Sequence, residues 1–396
     1  MIQYDSKDMY GLNAFRLKKE AIGPPRSPFD GSKAGLTGLD IIEKLAAPTQ
    51  VQWTVSRKCN FECPHCFNNS GPHYNGYEPC RDVIIENIRH ARPFNVCLCG
   101  GEPFFWNDLP DIVRKLRDGG IPSVGLVTNG YLVTPERLKA AVDAGLTMIQ
   151  VSIDGADAHD HSISRPAPNS WDKAREALRE CARYDVLKPV AVAFIPNRVN
   201  LRRFRDFVSV AVENGAGSIR VQPLMSSGRA ATSFDFLRPT ASQYLWLKLV
   251  IRELYLRHRK EGIEVEWGDP LEHIGFYANG LTAPQHLSLQ TNGWYELSPY
   301  LPVLFADSTR IGIRDFWTMT HGLKDLWQIP VVQKMAAQLT AIDHMGSIRP
   351  RPYLEDFLYI DRLDEANWRL ATTTDDVDVL LDYARTHGPE CDRKSN

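Results

Sequence analysis

Cys59-Asn60-Phe61-Glu62-Cys63-Pro64-His65-Cys66 follows directly on a short β-branched run, and the next such run ends in Cys97-Leu98-Cys99-Gly100-Gly101-Glu102-Pro103. The spacing C-x3-C-x2-C offers three thiolates from one tight loop, with no fourth cysteine placed to close the set. A cubane iron–sulfur cluster normally takes four thiolates. Three therefore leave one iron open to bind and activate a small molecule. A zinc site with a distant fourth ligand is the other use of such a loop, but zinc knuckles favour paired CxxC units or CxxC with histidines. Gly100-Gly101-Glu102-Pro103 alone reads as a strand-to-helix turn. Its functional reading is that the glycines let the backbone approach a ligand and that Glu102 accepts hydrogen bonds from an ammonium group.

Outward from these two stretches, short β-branched runs alternate with helical segments. Candidate strands are 51–56, 95–99, 123–128, 148–153, 189–195 and 218–222, separated by helices near 82–90, 109–117, 135–144, 171–183 and 201–214. Turn signals such as Asp118-Gly119-Gly120, Asn129-Gly130 and Asn214-Gly215 punctuate them. Six strands alternating with helices argue for βα units and a parallel sheet. Such a sheet either covers both faces with helices or curls into a barrel, and periodicity does not choose between the two. In both, chemistry sits at the carboxyl ends of the strands. The cysteine loop follows the first strand, Gly100-Gly101-Glu102 the second, Thr128-Asn129-Gly130 the third and Asp154-Gly155 the fourth, so the motifs share one rim.

The cysteine loop joined to the GGEP segment resembles the radical S-adenosylmethionine (SAM) superfamily. The resemblance implies a partial (β/α)6 TIM-like barrel over roughly 49–230, holding one [4Fe–4S] cluster on Cys59, Cys63 and Cys66. It implies that the open iron chelates SAM, and that one-electron reduction releases a 5′-deoxyadenosyl radical that takes a substrate hydrogen. On the same ground Gly100, Gly101, Glu102 and Pro103 hold the SAM amino group, with Thr128 and Asn129 on the same rim. His65 lies near the adenine, Ser152 and Asp154 approach the ribose or methionine portion, and Arg165 pairs with the carboxylate. Gln222 and Leu224 are further adenine neighbours. Flavodoxin or ferredoxin is the implied reductant.

Residues 231–345 look similar to the smaller α+β SPASM/twitch extension of peptide-modifying relatives, with expected strands at 263–267, 287–291 and 295–297 and a helix near 242–260. That extension normally carries cysteines for auxiliary clusters; here 287–327 has none, and Cys391 is the only cysteine after Cys181. The missing thiolates favour a redox-neutral outcome such as epimerisation, rearrangement, elimination or decarboxylation. Residues 1–48 read as an extension too short for a leader-peptide-binding domain, which tilts the substrate toward a sugar, nucleoside or amino acid derivative of natural-product biosynthesis. A ribosomally made precursor peptide is the alternative. Residues 346–396 form a tail with no functional reading. A non-catalytic iron–sulfur electron carrier ranks below both, because carriers complete all four thiolates.

Free cysteines usually pack as small hydrophobes, but a thiol can also quench a carbon radical. Cys97, Cys99, Cys181 and Cys391 are therefore candidate hydrogen donors, and the first two fall on one face of the second strand. Composition narrows the rest. The 396 residues are 43% hydrophobic and carry 46 basic against 48 acidic side chains, a net charge of −2. That balance gives no support for nucleic acid or an anionic membrane as partner. No apolar run reaches the ~20 residues of a membrane span, and the N-terminal stretch shows no secretory signal. Clustered cysteines in such a chain suggest metal binding in a reducing compartment, so the expected location is the cytoplasm.

Overall fold

The computed structural model describes residues 45–74, 80–268, 271–341, 345–347 and 357–387. Cys391 and residues 1–44 lie outside the described residues. From β1 (Gln50–Ser56) the chain passes through α1 (Arg81–Ala91), β2 (Asn95–Gly100), α2 (Leu109–Asp118), β3 (Ser123–Thr128), α3 (Pro135–Asp143) and β4 (Met148–Ser152). Two helices follow, α4 (Ala158–Ser164) and α5 (Ser170–Cys181), then β5 (Ala191–Phe194), α6 (Phe204–Glu213) and β6 (Ser218–Val221). Strands β1 to β6 pair parallel in sequence order, as the alternation of β-branched runs and helices predicted.

Local chemistry accounts for the crossover helices. α2 buries Leu109, Ile112, Val113 and Leu116, the i, i+3, i+4, i+7 stripe of an amphipathic helix, and has proline in its first turn. α3 starts where the Thr134 side chain accepts from the Arg137 amide, with Pro135 at its first position. α4 was not expected. It is capped by Asp157, and its buried residues are Asp160, His161 and Ser164, so its sequence carries no apolar stripe to read.

Beyond β6 come α7 (Ala230–Leu237), α8 (Ala241–His258), β7 (Glu264–Trp267), α9 (Glu272–Ala278), β8 (His286–Leu289), β9 (Trp294–Glu296) and β10 (Val303–Asp307). The described chain ends with α10 (Ile313–Met319), α11 (Lys324–Trp327), α12 (Pro330–Thr340), β11 (Leu358–Tyr359), α13 (Glu365–Ala371) and α14 (Val377–His387). All strands belong to one sheet in the order β11-β10-β9-β8-β1-β2-β3-β4-β5-β6-β7. β7 adds to β6, and β8 adds to β1, both parallel, while β9 pairs antiparallel with β8 and β10. The segment expected as a smaller C-terminal domain thus extends both ends of the sheet begun by 49–230.

The two faces of the sheet differ. Val51, Trp53, Val96, Leu98, Val124, Leu126, Ile149, Val151, Val192 and Ile219 are all buried, and they form the apolar layer under the helices. Residues between them point the other way: Gln52, Thr54, Cys97, Cys99, Gln150, Ser152, Ala191, Ala193 and Arg220. A closed eight-stranded barrel fills its interior with branched apolar side chains. Here the inner face is small and polar, which suits a chamber rather than a packed core.

Candidate active site

The cysteine loop is held by its own backbone and by the start of α7. Within it, the Gly71 amide donates to the Arg57 carbonyl at 3.0 Å and the Cys59 amide to the Gly71 carbonyl at 3.1 Å. From the far side, Arg229 donates to the carbonyls of Cys63 (3.0 Å) and Ser70 (2.7 Å), and the Ala230 amide to that of Cys66 (3.2 Å). Arg229 stands out in no motif, and its role was not foreseen. The sulfurs themselves receive amides: Phe61 N–H to Cys59 Sγ at 3.4 Å and Ser70 N–H to Cys66 Sγ at 3.3 Å. Cys59, Phe61 and Cys63 form an apolar cluster with Cys66, Tyr131 and Ala167 at its margin.

Burial pushes the Cys59 and Cys63 thiols up to about 12, helped at Cys59 by the Glu102 charge. Thiolates here therefore need compensating positive charge beside them, as bound iron supplies. Among the described residues no three ligating side chains converge on a single-ion site. A cluster takes one thiolate at each of three separate corners, and the loop's amide donors and apolar surround fit it.

Gly100 and Gly101 lie against this loop. The Gly101 amide donates to the Ser56 carbonyl at 2.6 Å and the Glu102 amide to the Lys58 carbonyl at 3.0 Å. Gly100 has φ +124°, and a Cβ there would stand 2.3 Å from the Ser56 oxygen. A Cβ on Gly101 would be 2.0 Å from the Lys58 oxygen. The close approach that demands these glycines is thus made by the backbone entering the cysteine loop. Glu102, 1% exposed, accepts from Thr128 Oγ1 (2.8 Å), the Asn129 amide (2.7 Å) and the Phe104 amide (3.0 Å). Burial nonetheless holds its carboxyl above the usual range. Three donors leave room for one more on a carboxylate with about four lone-pair sites. Asn129 completes the tie by donating to Asn60 Oδ1 at 2.9 Å, and Pro103 opens the buried turn that follows.

A second node sits at the end of β4. Asp154 is fully buried, accepts from Arg165 Nε at 2.7 Å and from the Ile195 amide at 2.8 Å, and lies 3.6 Å from His65 Nε2. Burial pushes its carboxyl up, but Arg165 and His65 outweigh that and leave it below the usual carboxylate range. Burial pushes His65 down to about 4 and His161 down to about 3. Both rings are therefore neutral at physiological pH, and the His65–Asp154 contact is polar rather than ionic. His161 Nδ1 accepts the Asp154 amide at 3.2 Å, and Asn200 Nδ2 donates to the Asp154 carbonyl at 2.9 Å.

The structure brings His65, Glu102, Thr128, Asn129, Asp154 and Arg165 together around the cysteines. Ser152 is buried at the end of β4 on the inner face, and Gln222 follows β6, half-buried. Leu224 is not brought to that group; its side chain packs into an apolar cluster with Ala230, Phe234 and Leu237. Cys97 and Cys99 face the chamber, where Gln52 Nε2 donates to Cys99 Sγ at 3.2 Å. Cys181 does not: it is fully buried among the apolar residues of α5, which removes it as a hydrogen donor to substrate.

Glu296 was missed altogether. It pairs with Ser288, Ser288 with Gln52, and Gln52 with Cys97, one row across four strands. Its neighbour Tyr295 stacks on Phe316 of α10, which packs against α1, so Glu296 points to the inner face. Gln290 Nε2 donates to its two oxygens at 3.2 and 3.1 Å, and burial raises its carboxyl well above the usual range. No motif marks a lone glutamate on so short a strand.

An open α/β barrel with a thiolate triad on the rim of its first strand defines an iron–sulfur enzyme of the SAM-cleaving class. Residues 53–209 match the family model "Radical SAM superfamily", so this stretch is a radical SAM domain, and that family uses a [4Fe–4S] cluster and SAM. It is 30% identical over 247 residues to the mycofactocin maturase MftC of Mycolicibacterium smegmatis, covering 62% of this chain and 59% of that protein. It is 26% identical over 204 residues to the PqqA peptide cyclase of Bradyrhizobium diazoefficiens (51% and 53%). It is 27% identical over 319 residues to the AdoMet-dependent heme synthase of Methanosarcina barkeri (72% and 86%). The chain spans 56–59% of the length of the mycofactocin maturases it matches. SuiB of Streptococcus suis, solved bound to S-adenosylmethionine, shares the fold with a TM-score of 0.53 at 13% identity, over 76% of this chain and 68% of SuiB. Among the described residues no helix is long and apolar enough to cross a membrane.

Proposed function

We propose that this protein is a radical SAM maturase acting on a ribosomally made precursor peptide. The observation that carries the reading is the 30% identity over 247 residues to a mycofactocin maturase, supported by the match to a peptide cyclase. It replaces the small-molecule substrate that the short N-terminal extension suggested. A small-molecule reading keeps one specific support, the alignment with 86% of a heme synthase.

In this proposal Cys59, Cys63 and Cys66 hold the cluster, which supplies the one-electron cleavage of SAM to methionine and a 5′-deoxyadenosyl radical. Glu102 keeps the Gly100–Pro103 turn fixed to β3 and offers its remaining lone pair to the SAM ammonium. Arg165, oriented by Asp154 through Nε, keeps its two terminal nitrogens for the SAM carboxylate. Asn129 couples both elements to the cysteine loop. The buried rim excludes water from the reacting atoms. A flavodoxin or ferredoxin delivers the electron, and the outcome is redox-neutral, since 287–327 has no cysteines for an auxiliary cluster.

The test is anaerobic incubation of the reconstituted protein with SAM, dithionite and the short peptides encoded beside its gene. Release of 5′-deoxyadenosine together with a mass change in one peptide is the expected result. Nucleoside release with every peptide unchanged would refute the peptide substrate while leaving the radical chemistry standing.

A further inference from the structure

The strands beyond β8 carry a cavity of about 140 Å³, lined by residues of β9, β11, α13 and α14 and by none of the cysteine loop. Aromatic rings build its walls: Trp294 and Tyr359 meet edge to face with centroids 5.0 Å apart, and Tyr383 stacks on His387 at 4.3 Å. Asn367 also lines it. That side chain is 3% exposed, and among the described residues its buried Oδ1 meets no hydrogen-bond partner. Buried polar atoms nearly always find one, so an orphaned acceptor lining a cavity points to a ligand that brings a donor.

The charges of the wall say which donor. Asp361 is paired with Arg310 at 2.6 Å and is neutralised. Asp364 accepts the Ala366 and Asn367 amides on Oδ1 and the Tyr383 hydroxyl at 3.0 Å on Oδ2. Among the described residues it meets no lysine or arginine within ion-pair distance. Burial pushes its carboxyl up, but these donors outweigh that and leave it below the usual range. Asp364 thus has only the His387 ring beside it, and together with the orphaned acceptor and the aromatic faces it favours a cation on an apolar stem. Pockets for whole small molecules start at roughly 300 Å³. This cavity is smaller and suits a single side chain.

We propose that this cavity binds one basic side chain, lysine or arginine, presented by a peptide. The site is separate from the cluster-bearing rim and does not depend on the chemistry there. It assigns a role to the C-terminal segment, for which the sequence offered none.

The probes are Nα-acetyl-lysine methylamide and its arginine, norleucine and glutamate counterparts, titrated into the full-length reconstituted protein by calorimetry. The lysine and arginine compounds should bind at least tenfold more tightly than norleucine, on the order of one neutralised charge pair, and glutamate should not bind. D364N keeps a good helix cap, since asparagine caps as well as aspartate, and should weaken lysine binding about tenfold in a protein that still unfolds in one cooperative transition. N367L, which removes the orphaned acceptor and fills the cavity, should abolish binding without loss of stability. Norleucine binding as tightly as lysine, no binding by any probe, or lysine affinity untouched in D364N would each overturn the proposal. Lysine binding in a protein that releases no 5′-deoxyadenosine would sustain this site and refute the radical reading instead.

Discussion

Gly101→Ala tests how the two motifs are joined. A Cβ at position 101 would lie 2.0 Å from the Lys58 oxygen and 2.5 Å from its carbon, whereas ordinary contact begins at 3.4 Å. No side chain can absorb an overlap of that size, because both atoms are backbone. The Lys58 carbonyl has to move away from β2, which breaks the Glu102 amide bond to it (3.0 Å) and strains the Gly101 amide bond to Ser56 (2.6 Å). Each buried hydrogen bond lost costs about 1–3 kcal/mol. Lys58 is followed immediately by Cys59, so the thiolate moves with the carbonyl, and a misplacement of about 1 Å at a reacting centre costs on the order of 100-fold in rate. G101A should therefore lose iron on reconstitution and release 5′-deoxyadenosine about 100-fold more slowly. Iron per chain and nucleoside release under nitrogen are the measurements. Gly275→Ala is the control: its nearest neighbour would be Thr340 Cγ2 at 3.7 Å, and within α9 the change should stabilise by about 0.5–1 kcal/mol. Wild-type iron and wild-type cleavage in G101A would show that the glycine pair does not set the cysteine loop.

Removing Arg165 leaves the Asp154 charge buried, so R165L should cost about 3–5 kcal/mol in urea unfolding, and adding D154N should restore most of it; equal stability of the single and double variants would deny the pairing. His161 gives a pH test. Its ring is pushed from 6.5 to about 3, so the unfolded chain takes up its proton first, and stability is full above pH 6.5 and falls as pH drops toward 3. At about 1.4 kcal/mol per unit, the loss from pH 6.5 to 5 is about 2 kcal/mol, and H161Q should flatten that slope by about as much. Glu296 has the opposite sign. Its raised carboxyl is at ease below the ordinary 4.5 and destabilises as pH rises through the folded value, so E296Q should gain on wild type between pH 5 and 8 in urea titrations. A constant offset across that range would mean the carboxyl is not buried unionised. Cys63→Ser should abolish the cluster chromophore, whereas Cys181→Ala should leave nucleoside release intact while lowering stability through the cavity it opens in α5.

What could be read in advance follows from what each residue has to do. Strands β1 to β6 announce themselves because one face of each is apolar and buried, giving runs such as Val51-Gln52-Trp53-Thr54-Val55, and the thiolate loop announces itself because three metal ligands need fixed spacing. α4 stayed hidden because the side chains it buries are polar and leave no apolar period: His161 accepts from the Asp154 amide, Ser164 from Asn197 and Asp160 from Arg203. The GGE segment was placed correctly on the rim, yet the reason for its glycines was visible only once the Ser56–Lys58 backbone was seen against it. Arg229 and Glu296 lay beyond reach for another cause. Arg229 holds Cys63, and Glu296 takes its place in the Ser288–Gln52–Cys97 row, each across a long stretch of sequence, and a single chain read by local pattern carries no signal for such juxtapositions.

Glu296 shows most clearly why the polar inner face belongs to function rather than to the fold. A carboxyl buried with one amide partner destabilises the protein relative to an apolar side chain of the same size. The outer face of the same strand, where Tyr295 stacks on Phe316 at 4.5 Å, shows that the position could have been packed. A fold under no other demand would have filled the chamber as closed barrels do. The row Glu296–Ser288–Gln52–Cys97 instead keeps hydrogen-bonding groups facing inward on the side of the sheet that carries Cys97 and Cys99, at the cost in stability that functional sites commonly carry. If that reasoning holds, E296L should melt higher than the wild type, keep substrate-independent SAM cleavage, and fail to process peptide. A lower melting temperature together with unimpaired processing would return Glu296 to the core.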